Sequence, residues 1–192
     1  MINKNLNYII ILLLCEDCFK RAFAMEQNFT NQMASSRHYV FVYGTLKTNE
    51  PNHHWFYKNE AGHSNFICNA QTIEKYPLII ATRYNVPFLL HSAGVGHYVK
   101  GEIYEVDDII LKDLDELEEH PTFYVREEHF VKCIDGSEKN MKVWIYFIKQ
   151  FNQKLLNLPM LDHYTNEGEV QFQYVPRYDR NPEYDIKQLI LL

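Results

Sequence analysis

Tyr39-Val-Phe-Val-Tyr-Gly-Thr-Leu46 is the stretch from which the rest of the chain can be read. Its first five residues are all β-branched or aromatic, which favours a short buried strand, and Gly44 ends the run. A glycine at that point lets the backbone turn sharply, so that successive N–H groups can converge on an anion. Tyr43-Gly-Thr-Leu46 also suits an ordinary strand end. Local chemistry leaves both readings open.

Further strand-prone runs follow at 66–73, 78–81, 98–106, 124–134 and 142–148. Asn49-Glu-Pro-Asn52 is turn chemistry, and residues 53–59 could form one or two helical turns. Gly94-Val-Gly96 and Asp135-Gly136 punctuate the later strands, the second as a hairpin signal. Beyond Leu158 the chain becomes polar and Tyr-rich, with Pro159, Pro176 and Pro182, as expected of an irregular tail wrapped over a domain.

One helix stands out. Asp107 can cap it, Asp108 suits its first turn, and Pro121 blocks continuation past His120. At 100° per residue from Ile110, Leu114 falls at about 40°, Leu111 at about 100° and Leu117 at about -20°, which defines an apolar stripe. Glu118 falls at about 80°, inside that stripe, whereas Asp115 and Glu119 fall outside it. A carboxylate held there is costly unless paired, and desolvation raises its pKa toward the range of a general base. The plainer alternative is a glutamate at the edge of the stripe whose head reaches water.

The 192 residues suffice for one domain with a real core. Fourteen Tyr and 12 Phe, with many short β-branched runs, favour a sheet-rich α+β fold over a helical bundle. A net charge of -6, with no basic cluster, argues against nucleic acid or an anionic membrane surface as the main partner.

Residues 1–36 read differently. The apolar run Tyr8 to Cys15, Ala22-Phe-Ala24 and the sequon at Asn28 allow a secretory signal. The run is short, however, and Glu16, Asp17, Lys20 and Arg21 stand where a signal would be neutral, so a poorly ordered extension is the preferred reading. Cys15 and Cys18 have C-x-x-C spacing without a second pair to complete a zinc site. Cys68 and Cys133, in apolar strand-like runs, are expected to be reduced core residues. The nine histidines show no tight metal-ligand spacing, and no P-loop, dinucleotide fingerprint or nucleophile elbow is present.

Taken in order, these pieces resemble a known family. Val40-Phe-Val-Tyr-Gly-Thr-Leu-Lys47 with Pro51-Asn52-His53 resembles the signature of γ-glutamylamine cyclotransferases, within the γ-glutamylcyclotransferase-like superfamily. Tyr76-Pro-Leu-Ile-Ile80, Asn85-Val-Pro87, Gly94-Val-Gly96, Leu114-Asp-Glu-Leu-Glu118, Tyr124, Glu167-Gly168 and Tyr174-x-Pro176-Arg177 continue the likeness. The likeness covers roughly residues 38–180 and excludes the first 36.

The resemblance implies a small mixed β-barrel with a few flanking helices. It implies an enzyme that cyclises γ-glutamyl amines such as γ-glutamyl-ε-lysine, releasing 5-oxoproline and a free amine. It gives Glu118 as the catalytic base and places the γ-glutamyl moiety on Tyr43, Gly44, Thr45 and Leu46. No metal and no cofactor are expected, and the partner is a small-molecule γ-glutamyl substrate. The domain is expected over 37–180, between a 1–36 extension and a 181–192 tail, in a cytoplasmic monomer. Glu119 and His120 stand where relatives often carry small residues, which touches amine-side specificity. The competing readings are a cyclotransferase for γ-glutamyl amino acids or glutathione, and a non-catalytic γ-glutamyl-binding module.

Overall fold

The computed structural model describes residues 36–136, 139–167 and 173–191. The N-terminal apolar run, the Cys15/Cys18 pair, the sequon at Asn28 and Gly168 lie outside them.

Five strands close a barrel: β1 (His38–Val42), β2 (Ser64–Tyr76), β5 (His97–Val106), β6 (Val125–Cys133) and β7 (Asn140–Phe147). Their order is β1-β5-β2-β6-β7, and a parallel pairing of Val40 with Trp144 returns β7 to β1. Every other pairing in the barrel is antiparallel. A second sheet of three short strands has β3 (Leu78–Ile80) between β4 (Pro87–Leu89) and β8 (Met160–Leu161). The barrel with flanking helices agrees with the fold expected from sequence.

Period-two alternation makes two cores from one strand. Phe41 and Tyr43 point into the barrel with Ile103, Val131, Ile145 and Phe147. Val40 and Val42 face the other way and pack with Ile110, Leu111 and Leu114 of helix α1 (Asp108–Leu117). Burying each of those three aliphatic side chains contributes about 1.5–3 kcal/mol, which fixes the helix against β1 and β5.

The N-cap of α1 is as expected, with the Asp107 carboxylate accepting from the Ile110 N–H at 2.9 Å. The C-terminus comes earlier than Pro121 suggested. Glu118 is the C-cap and Glu119 takes φ +52. The Glu119 N–H bonds the Glu116 carbonyl and the His120 N–H bonds that of Asp115, which is a Schellman closure with glutamate at the usual glycine position.

Three further differences have simple causes. Strands β4 and β8 have three and two residues, too few for a period to show. The last segment contains helix α2 (Ile186–Ile190), capped by the Asp185 carboxylate, with Ile190 fully buried. Cys68 and Cys133 are not reduced: a disulfide joins them, because the Ala70–Cys133 pairing of β2 and β6 brings their Cα atoms to 6.1 Å.

Candidate active site

A cavity of about 1070 Å³ opens between the end of β1, the end of α1 and the segment from Tyr174 to Lys187. Tyr43, Gly44, Thr45, Leu46 and Glu118 all line it. The five residues singled out in the sequence, one group at a strand end and the other 72 positions later at a helix end, are therefore brought to one cavity.

The turn after β1 is held from outside. Lys47 N–H closes it on the Gly44 carbonyl at 3.1 Å, and Asn52 N–H reaches the Thr45 carbonyl at 2.8 Å. The Asn52 side chain donates to Thr45 Oγ1 at 2.9 Å and to the Tyr174 hydroxyl at 3.1 Å. The N–H groups of Gly44, Thr45 and Leu46 find no backbone acceptor among the described residues. Donors left over in a half-closed cavity are suited to an anion. Gly44 is not in the left-handed region. It is required by space: a Cβ there would meet Cγ of Pro87 at 2.7 Å.

Glu118 lines the same cavity from the end of α1. Burial pushes its carboxyl up to about 7, while Arg177 pulls it down and Glu119 raises it. No hydrogen bond to the carboxylate offsets that burial among the described residues, and the reason lies in its neighbours. Tyr43, Tyr124 and Tyr146 are all buried, and the pKa of each is raised first by burial and further by the charge of Glu118. Yet their hydroxyls are turned elsewhere: Tyr43 to the Tyr146 carbonyl at 2.8 Å, Tyr124 to the Pro87 carbonyl at 3.2 Å, and Tyr146 to Asp115 at 2.7 Å. Asp115 in turn pairs with Arg126 at 3.2 Å. All three tyrosines lie near enough for the charge of Glu118 to raise their pKa, yet none hydrogen-bonds it.

Sequence reasoning gave no role to Tyr124, Tyr146, Tyr174, Arg177 or Arg180, which also line the cavity. Tyr124 and the Tyr174-Arg177 block did stand among the family-like residues, whereas Tyr146 read as strand and Arg180 carried no signal. Arg177 bonds Glu119 at 3.0 Å and the Leu117 carbonyl at 3.3 Å, tying the last segment to the end of α1. Arg180 lies over the Tyr174 and Tyr84 rings, and desolvation lowers its pKa.

No described helix is long and apolar enough to cross a membrane. Known proteins similar to this chain share its fold over most of its length. The gamma-glutamylaminecyclotransferase C of Danio rerio is 39% identical over 151 residues, covering 77% of this chain and 99% of that protein. The gamma-glutamylaminecyclotransferase of Bos taurus is 40% identical over 141 residues, covering 73% and 83%. The crystal structure of an AIG2-like protein from Mus musculus superposes with a TM-score of 0.70 at 36% identity, over 75% of this chain and 99% of that one. The family model described as "Gamma-glutamyl cyclotransferase, AIG2-like" matches residues 40–166, from the first strand to the edge of the last segment. With strand turn and buried glutamate both inside that span, this chain belongs to the AIG2-like gamma-glutamyl cyclotransferase family.

Proposed function

We propose that this chain is a γ-glutamylamine cyclotransferase in which Glu118 moves the proton and the turn at Gly44–Leu46 holds an anionic group of the substrate. One observation carries the reading: a carboxyl raised to about 7 by burial lines the same cavity as that turn.

In a γ-glutamyl amide the α-nitrogen can reach the γ-carbonyl carbon through a five-membered ring. Glu118 takes a proton from the α-ammonium, and the freed amine attacks. The new N–C bond closes the pyrrolidone, the attacking nitrogen gives up its second proton, the bond to the departing nitrogen breaks, and both protons, relayed through Glu118, leave on that nitrogen as an ammonium. The products are 5-oxoproline and the free amine. No water is consumed and no protein nucleophile is needed. The protein's share is conformational: it holds the folded-back substrate, where proximity is already intramolecular. Backbone N–H groups at Gly44–Leu46 stabilise either the α-carboxylate or the developing oxyanion.

Release of 5-oxoproline from γ-glutamyl-ε-lysine, γ-glutamyl-alanine and glutathione, compared at equal enzyme, tests the substrate class. The expected order has γ-glutamyl-ε-lysine first. Glu118→Gln should lower its turnover by about 100-fold or more. Wild-type turnover in that variant removes the assignment.

Cofactor-free action by a cytoplasmic monomer that binds no nucleic acid completes the proposal. Secretion is the second reading, favoured by the Cys68–Cys133 disulfide, since such bonds persist mainly in oxidising compartments. Mass spectrometry of the native N-terminus, with thiols trapped at lysis, separates the two.

A further inference from the structure

His91, Glu127 and His129 form a cluster that plays no part in the cavity. Glu127 and His129 stand two apart on β6, on the face that continues through Val131 and Cys133 into the barrel core. His91 follows β4, and its N–H is fixed on the Ile148 carbonyl at 2.9 Å. Two separate segments of chain, β6 and the stretch after β4, thus meet where the inward face of β6 leaves the barrel. Linear spacing of histidines could not display this, because His91 lies 38 residues before His129.

The ligand atoms converge. His91 Nε2 lies 3.1 Å from Glu127 Oε2, and His129 Nε2 lies 3.6 Å from the same oxygen. All three atoms fall within 4.8 Å of one another. In a tetrahedral zinc site with bonds of 2.0–2.1 Å, adjacent ligand atoms are about 3.3 Å apart. The two measured edges bracket that value.

The surroundings orient the ligands. Tyr76 gives its hydroxyl proton to Glu74 at 3.1 Å, so its oxygen accepts from His129 Nδ1 at 3.3 Å. That contact orients the His129 ring so that Nε2 faces Glu127, as the outer shell of a metal site orients its ligands. Lys149 satisfies the other oxygen, Glu127 Oε1, and leaves Oε2 to the imidazoles. The Phe147 ring packs 5.0 Å from both imidazoles and forms an apolar floor. Access exists, because each of the three side chains keeps 25–32% of its surface and His129 borders a groove of about 510 Å³.

We propose that His91, Glu127 and His129 bind one divalent late transition ion, zinc above all, at a site separate from the catalytic cavity. Two imidazoles and one carboxylate leave a fourth position for water, so the ion ties β6 to the segment after β4.

The experiment titrates Zn²⁺ into the full chain against a chromophoric chelator. One equivalent should bind, His91→Asn and His129→Gln should each weaken it by about tenfold or more, and His97→Ala, an exposed control, should not. 5-Oxoproline release should stay near wild type in the cluster variants, so loss of zinc binding is read independently of catalysis. For variants that fail to fold, diethylpyrocarbonate labelling of the wild type gives the same answer. Zn²⁺ should protect His91 and His129 and leave His97 reactive. Absence of saturable binding, equal affinity in the folded cluster variants, or unprotected His91 and His129 overturns the site.

Discussion

Gly44 and Pro87 are in such close apposition that a single added carbon would not fit: a Cβ on Gly44 would stand 2.7 Å from the proline Cγ. Pro87 belongs to β4, and its ring has no rotamer into which to retreat. The carbonyl of the same proline accepts from Tyr124, so backing the strand away would also break that bond.

Gly44→Ala should therefore push the turn off β4 and misdirect the N–H groups at 44–46. Overpacking of this kind costs about 1–3 kcal/mol. Urea denaturation should show that loss, and initial rates should show a raised KM for γ-glutamyl-ε-lysine. An alanine variant with unaltered KM would mean that the close contact does not set the turn.

Strand β1, the N-cap of α1 and the misplaced carboxylate were legible because each is written in adjacent residues. Val40, Val42, Leu111 and Leu114 show their period directly. The end of α1 was not, because Glu119 adopts a conformation that sequence assigns to glycine, held by Arg177 and Lys187 from 58 and 68 residues away. The disulfide was hidden for a similar reason: only the register of β2 against β6 brings Cys68 to Cys133. The tyrosine walls around Glu118 come from the ends of β1 and β7 and from the start of β6. No local pattern announces that these points converge.

The pH dependence of turnover should follow Glu118. As the base, it must be ionised in the free enzyme, and its carboxyl is raised to about 7. The limb of kcat/KM should rise with pH and bend near that value, well above the ordinary carboxylate range. Rates measured from pH 5 to 9 with γ-glutamyl-ε-lysine check this. A limb bending near 4.5 would place Glu118 in water.

Stability should move in the opposite sense. A carboxyl raised from 4.5 to about 7 on folding binds its proton more tightly in the native state. Its contribution is therefore most favourable below about pH 4.5 and is lost as pH climbs toward 7, by roughly 3 kcal/mol at most. Glu118→Gln removes the ionisation, so the inactive variant should melt higher than wild type at pH 8. The difference should shrink by pH 5. Equal melting temperatures at both pH values would contradict a desolvated carboxylate.

Glu119 offers a way to shift the base without touching it. Its charge raises the Glu118 pKa, while Arg177, which Glu119 engages at 3.0 Å, lowers it. Glu119→Gln removes the like charge and leaves the arginine field less compensated. Both changes favour the ionised form of Glu118. The pH limb of kcat/KM should move to lower pH, with kcat at pH 8 little altered because the base is already ionised there. Lys187 and Arg177 would lose their shared partner, so KM for the amine side should change as the last segment loosens. A limb that stays in place, in a variant of unchanged fold by circular dichroism, would show that the two adjacent carboxylates do not sense one another.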